Sequence, residues 1–254
     1  MKDVAARSFN PAGLIILALW LVLGAALLLM AEPPRVLTFA FVMVGWLLSV
    51  MAHEFGHALV GYWAGDRTVK AKGYLDFDPR RYTDPFISLG IPIMALALGG
   101  VGFPGGAVYL RQDLMRSRLW RSAASLAGPA VTAAIFLGLA LGLRLWGAAA
   151  GQVTSELYPA LSILAFLQAM ALILNLLPIP GLDGFNTLRP FLPGAWGPGI
   201  RKAEGLSMVL LLVLVFVIPG ASAVLFHAAA TLSVAVGLDP NALNYGWKAF
   251  HFWQ

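Results

Sequence analysis

One apolar run, Val36 to Ala64, carries His53, Glu54 and His57 in its interior. It is longer than the roughly 20 apolar residues that span a bilayer. The stretch best suited to a membrane therefore also holds two imidazoles and a carboxylate. Ionisable groups at such depth are costly, and they are found facing a protein interior or a wet cavity where they have work to do. The three residues form the pattern H-E-x-x-H within Met51-Ala52-His53-Glu54-Phe55-Gly56-His57-Ala58. On a helix, positions i and i+4 lie one turn apart on one face. Two imidazoles so placed can share one Zn²⁺, and the glutamate beside the first can act as a general base. The plainer alternative is a pair of helix histidines satisfied by hydrogen bonds.

The rest of the chain agrees with a membrane setting. Of its 254 residues, 59% are hydrophobic and 11% charged, against about 45–50% apolar in a typical soluble domain. The sequence predicts an all-α polytopic membrane protein of about six transmembrane helices, with residues 1–254 forming a single membrane-embedded domain. No segment is long and polar enough for a separate soluble domain. The net charge of +5 fits Lys/Arg-rich cytoplasmic loops, and no basic run interleaved with aromatics suggests nucleic acid. There is no cysteine, so disulfides are excluded and any transition-metal site must use His and carboxylate ligands.

Lys2 and Arg7 precede a first span, Pro11 to Ala31, which is too long for the apolar part of a cleaved signal peptide. Glu32-Pro33-Pro34-Arg35 is a turn, since Pro-Pro cannot continue a helix. The second span is Val36 to Ala64. Gly65 to Asp84 is a basic loop, in which Asp76, Asp78 and Asp84 read as solvated. Pro85 to Leu98 is apolar but short and leads into the glycine-rich stretch Gly99 to Leu110. Irregular backbone at membrane depth is tolerated only where protein covers it or it lines a wet cavity. A short membrane-associated β hairpin or re-entrant segment is predicted there, between the second and third spans, with a full extra span as the alternative. Ser122 to Trp146 is a third span, and Ala127-Gly128-Pro129 inside it should kink it or bring a neighbour close. Leu157 to about Leu177 is a fourth, unwinding at Pro178 and Pro180. Leu206 to Gly237 is one kinked span or two short ones, broken at Pro219-Gly220. Trp146, Trp247 and Trp253 read as interfacial anchors, and Glu156 and Arg144 as marks of the outer boundary.

Placing Lys2 and Arg7 in the cytoplasm puts nearly all loop Lys and Arg on that side, as the positive-inside tendency expects. The second and fourth spans then run in the same direction, and their polar ends share one depth near the inner face. A catalytic zinc usually has three protein ligands and an open position. His227 and His251 are not at the depth of His53 and His57. Asp183 is, where a strong partner or a helix-capping role would explain it.

His53-Glu54-x-x-His57, followed by Asn175-x-x-Pro178-x-x-x-Leu182-Asp183-Gly184, resembles the site-2 proteases, which are intramembrane zinc metalloproteases. The resemblance covers roughly Val36 to Gly184 and indicates a minimal form, without room for a PDZ or CBS domain. It implies His53, His57 and Asp183 as ligands of one Zn²⁺ per chain, Glu54 as catalytic base, and Asn175 as a substrate-positioning or oxyanion-stabilising side chain. Ala127-Gly128-Pro129 is similar to the family's Gly-Pro motif. The family often has Asn three residues after that proline; this chain has Thr132, and no function is carried onto it.

The function so implied is hydrolysis of peptide bonds within or near transmembrane segments of membrane-protein substrates, in the cell membrane, with the N-terminus and active-site side cytoplasmic. The expected partners are a transmembrane protein substrate and the lipid bilayer, with no nucleic acid; the sequence leaves the oligomeric state open. A transmembrane substrate must unwind before its carbonyl can be attacked, and the unwound strand needs new backbone partners. An exposed strand edge provides them, and Gly106, Ala107, Val108 and Tyr109 are the substrate-binding candidates. A re-entrant loop that only seals the site is the alternative. The competing function from another class is a non-catalytic metal-binding membrane protein, a transporter or an inactive protease-like scaffold; it would not need Glu54. A prenyl-protein endopeptidase fits less well, because its third ligand is a glutamate and neither Glu156 nor Glu204 has a matching context.

Overall fold

The computed structural model describes residues 11–81, 108–150, 155–200, 203, 206 and 220–253. Every regular element among them is helical. The four expected spans appear as α1 (Ala12–Leu29), α2 (Arg35–Ala64), α4 (Arg118–Ala150) and α5 (Leu157–Asn175), with a short α3 (Thr68–Ala71) after α2. All four long helices are apolar and long enough to cross a membrane. At 1.5 Å per residue, the 30 residues of α2 and 33 of α4 reach about 45–50 Å. That exceeds a hydrocarbon core of about 30 Å, so both helices extend past it. The chain then forms α6 (Asp183–Leu188), α7 (Ala221–Ala235) and α8 (Pro240–Phe250).

Two expectations fall largely outside the described residues. The predicted hairpin, Pro85 to Leu110, is described only from Val108 onward, and the final span or spans, Leu206 to Gly237, include residues 207–219, which lie outside the described residues. No strand occurs among the described residues; Val108, Tyr109 and Leu110 are irregular. The break expected at Pro219-Gly220 does mark a helix start, with Gly220 at φ +86° before α7.

Lipid tails are as apolar as leucine, so helices associate in a membrane through close packing rather than hydrophobic burial. α1 is the peripheral helix, turning Leu14, Ile15, Leu21 and Val22 outward. α5 is the central one: its residues from Ser162 to Ala171 are all buried, and α2, α4, α7 and α8 pack around it. Small residues set the closest approaches. A Cβ on Gly45 of α2 would lie 2.7 Å from Leu164 of α5. One on Gly246 would meet the backbone of Pro159, which seats α8 across the start of α5. Trp247, read as an interfacial anchor, packs on Phe166, Phe226 and Phe250.

The lower end of α2 is tied off firmly. Gly65 follows at φ +124°, a conformation that suits glycine. Arg116 satisfies the terminal carbonyls, its guanidinium donating to Trp63 and Ala64. Asp66 is fully buried and accepts from the Thr68 amide, the Thr68 hydroxyl and, at 2.7 Å, the Arg111 amide. That last bond pins the segment after residue 107 alongside α2. Asp78 is buried too, accepting from the amide and guanidinium of Arg80. The loop is therefore held by internal carboxylates, not left solvated as the charge pattern suggests.

Candidate metal centre

His53 and His57 lie in the α2 helix one turn apart, and both are buried. Their rings are nearly perpendicular, at 81°. Each turns its Nδ1 away from the other towards α4. His57 Nδ1 is 2.8 Å from the Ala124 carbonyl oxygen; His53 Nδ1 is 2.9 Å from Thr132 Oγ1. The Nε2 atoms point inward and lie 3.1 Å apart. Asp183 closes the triangle, with Oδ2 at 3.1 Å from His53 Nε2 and 3.4 Å from His57 Nε2. Tetrahedral zinc with nitrogen and oxygen ligands at about 2.0–2.1 Å requires ligand atoms about 3.3 Å apart, so this donor set fits the metal. It is the only group of three or more His, Asp or Glu among the described residues that could hold an ion.

Local sequence explains how Asp183 arrives there. Pro178 and Pro180 end the helical path after Asn175, and Gly181 turns the chain at φ +98°. Leu182 plugs into the main core. Asp183 then opens α6, its side chain directed at the histidines rather than at its own helix end. Gly184 has to be glycine, since a Cβ would fall on the Leu176 carbonyl.

The chain is 40% identical over 249 residues to "Putative zinc metalloprotease Rip2" of Mycobacterium tuberculosis, covering 96% of this chain and 94% of the relative. It is 37% identical over 252 residues to the protein of that name in Mycolicibacterium smegmatis, with the same coverage. "Putative zinc metalloprotease YwhC" of Bacillus subtilis is 30% identical over 195 residues, 73% of this chain and 84% of that one. The chain belongs to the site-2 protease family. No family model matches it, and no solved structure does.

The other site-2 protease positions fall as follows. Glu54 is buried next to His53, and its Oε2 accepts the Val108 amide at 3.0 Å. Asn175 is buried as the last residue of α5. Among the substrate-binding candidates, Gly106 and Ala107 lie outside the described residues. The Val108 amide is committed to Glu54, and exposed Tyr109 offers its carbonyl to Lys72 Nζ at 2.9 Å. His227 is exposed on α7. His251 is buried against Trp247; neither is in the triangle.

Sequence reasoning missed one part of the site. Ala124, Gly128 and Thr132 form a stripe along α4 beneath the two rings. A Cβ on Gly128 would fall on His57 Nε2 and lie 2.6 Å from His53 Nε2. The close approach expected from Ala127-Gly128-Pro129 is thus real, and it is mirrored on α2, where a Cβ on Gly56 would lie 3.0 Å from the Ala127 carbonyl. The signal that could have revealed the stripe is the spacing i, i+4, i+8 of small residues, which marks a close helix contact.

Proposed function

We propose that this chain is an intramembrane zinc metalloendopeptidase that hydrolyses peptide bonds within or near the transmembrane segments of membrane proteins. The observation that carries the reading is the buried Glu54, next to the two-histidine, one-carboxylate donor set, in a helix long and apolar enough to cross a membrane. A metal site alone has no use for that carboxylate.

His53, His57 and Asp183 would hold the zinc. When bound, zinc lowers the pKa of a coordinated water to about 7 and polarises a carbonyl. Glu54 takes the proton as the water oxygen adds to the peptide carbon. It then delivers that proton to the amide nitrogen as the C–N bond breaks, so the products are a carboxylate and an amine. The Val108 amide fixes the direction of the Glu54 carboxylate during both transfers. Asn175 donates its side-chain amide to the developing oxyanion. Val108 lies beside the base, and an unwound substrate strand paired with residues 106–109 would bring its peptide bond to Glu54. His53 lies about 16 Å along the helix from Ala64, at 1.5 Å per residue. The basic residues Arg67, Lys70, Lys72, Arg80, Arg81, Arg111, Arg116 and Arg118 lie in the segments that follow that end of α2 and precede or open α4, which supports a cytoplasmic active-site face.

Full-length protein in liposomes with a single-span substrate tests the reading. A substrate helix weakened by glycine near the inner face is the suitable choice, because it unwinds most readily. Cleavage is expected inside the span, to stop with a membrane-permeant chelator and to return with Zn²⁺. Zinc-loaded protein that cleaves no member of a panel of such substrates would favour the non-catalytic alternative.

A further inference from the structure

We propose that Thr132 is a positioning residue for the metal centre: its hydroxyl accepts the Nδ1 proton of His53 and so turns the Nε2 lone pair of that histidine towards the metal. The inference rests on the zinc reading above. It starts from an asymmetry between the two imidazoles.

His57 faces a backbone carbonyl, that of Ala124. A carbonyl only accepts. His57 therefore carries its proton on Nδ1, and its Nε2 presents a lone pair to the centre of the triangle. This tautomer is set by the helix backbone and survives any side-chain change at position 124.

His53 has no such backbone acceptor. Its Nδ1 meets the Thr132 hydroxyl at 2.9 Å, and Thr132 is only 2% exposed, so no bulk water competes. A hydroxyl can donate or accept. If it donated to Nδ1, the proton of His53 would sit on Nε2, inside the triangle where the metal belongs. With the hydroxyl as acceptor, both Nε2 atoms present lone pairs across their 3.1 Å separation.

The backbone registers make the contact specific. α2 and α4 run antiparallel, so His57 pairs with Ala124 and His53 with Thr132. The histidines are four residues apart and their partners eight. Two rings anchored at these outer points must converge at their inner nitrogens, over the side-chain-free Gly128. Thr132 is the only side chain among the three partners on α4, and so the only one that substitution can silence.

The test is zinc retention by full-length protein in detergent, titrated with a chromophoric chelator. Thr132→Val keeps the shape of the side chain and removes the hydroxyl. It is expected to release Zn²⁺ about 10- to 100-fold more readily than wild type, the usual effect of losing a group that orients a ligand. Thr132→Ser restores the hydroxyl and is expected to retain zinc like wild type. The metal-free Val and wild-type proteins are expected to unfold at the same temperature. Wild-type retention in the Val variant overturns the proposal, as does equal weakening in Ser and Val, or a Val protein that is already less stable without metal. A wild-type protein that takes up no zinc overturns the zinc reading itself, and this inference with it.

Discussion

Glu54→Gln is expected to abolish cleavage and to leave zinc bound. Glutamine keeps the volume of the buried side chain and still offers an oxygen to the Val108 amide, which Glu54 accepts at 3.0 Å. What it cannot do is take up a proton. General acid–base catalysis contributes about 10²- to 10⁴-fold, and here one carboxylate serves both the attacking water and the leaving amine. The loss should therefore lie at or beyond the upper end of that range. The candidate ligand atoms belong to His53, His57 and Asp183, so metal content should stay at the wild-type level. Initial rates on the reconstituted substrate, read beside zinc per chain, check both halves. Normal cleavage by the Gln variant would remove Glu54 from the chemistry.

Gly128→Ala is expected to be nearly as damaging for a different reason. Alanine is a better helix former than glycine by about 1 kcal/mol, so α4 itself should gain from the change. The added methyl, however, would lie on the two Nε2 atoms. Neither ring can retreat easily, because each is tethered at Nδ1, to Ala124 and to Thr132. The expected result is a folded protein, with helicity and unfolding temperature not lowered, that has lost zinc affinity at least 100-fold and cleavage with it. Zinc titration together with circular dichroism measures this. Wild-type zinc affinity in the Ala variant would show that the rings do not rest on α4.

The contrast between Glu54 and Gly128 shows what a single sequence reveals. His53, Glu54 and His57 were legible because their spacing matches the helical period within one element. The four long helices were legible for a similar reason: apolar runs between Pro and charged residues stop where the helix stops, within a few residues. Asp183 was placed by depth along its own span, and the structure brings it to both histidines. The stripe on α4 was not legible. A backbone carbonyl at Ala124 and an absent side chain at Gly128 carry no chemical label, and Thr132 gains meaning only from its register against α2. Asp78 misled in the opposite direction: a carboxylate among arginines looks solvated until the fold closes over it. Val108 is a candidate for binding a substrate strand, and its amide donates to the Glu54 carboxylate.

The most direct test of the central claim is the zinc content of the purified full-length protein, wild type beside Asp183→Ala. Asp183 supplies the third corner of the triangle, at 3.1 and 3.4 Å from the two imidazoles, and two histidines alone fall short of the three ligands a catalytic zinc usually has. The account predicts one zinc per chain in the wild type and almost none in the Ala variant after the same purification. A wild type without zinc, or an Ala variant that keeps its full complement, would contradict it.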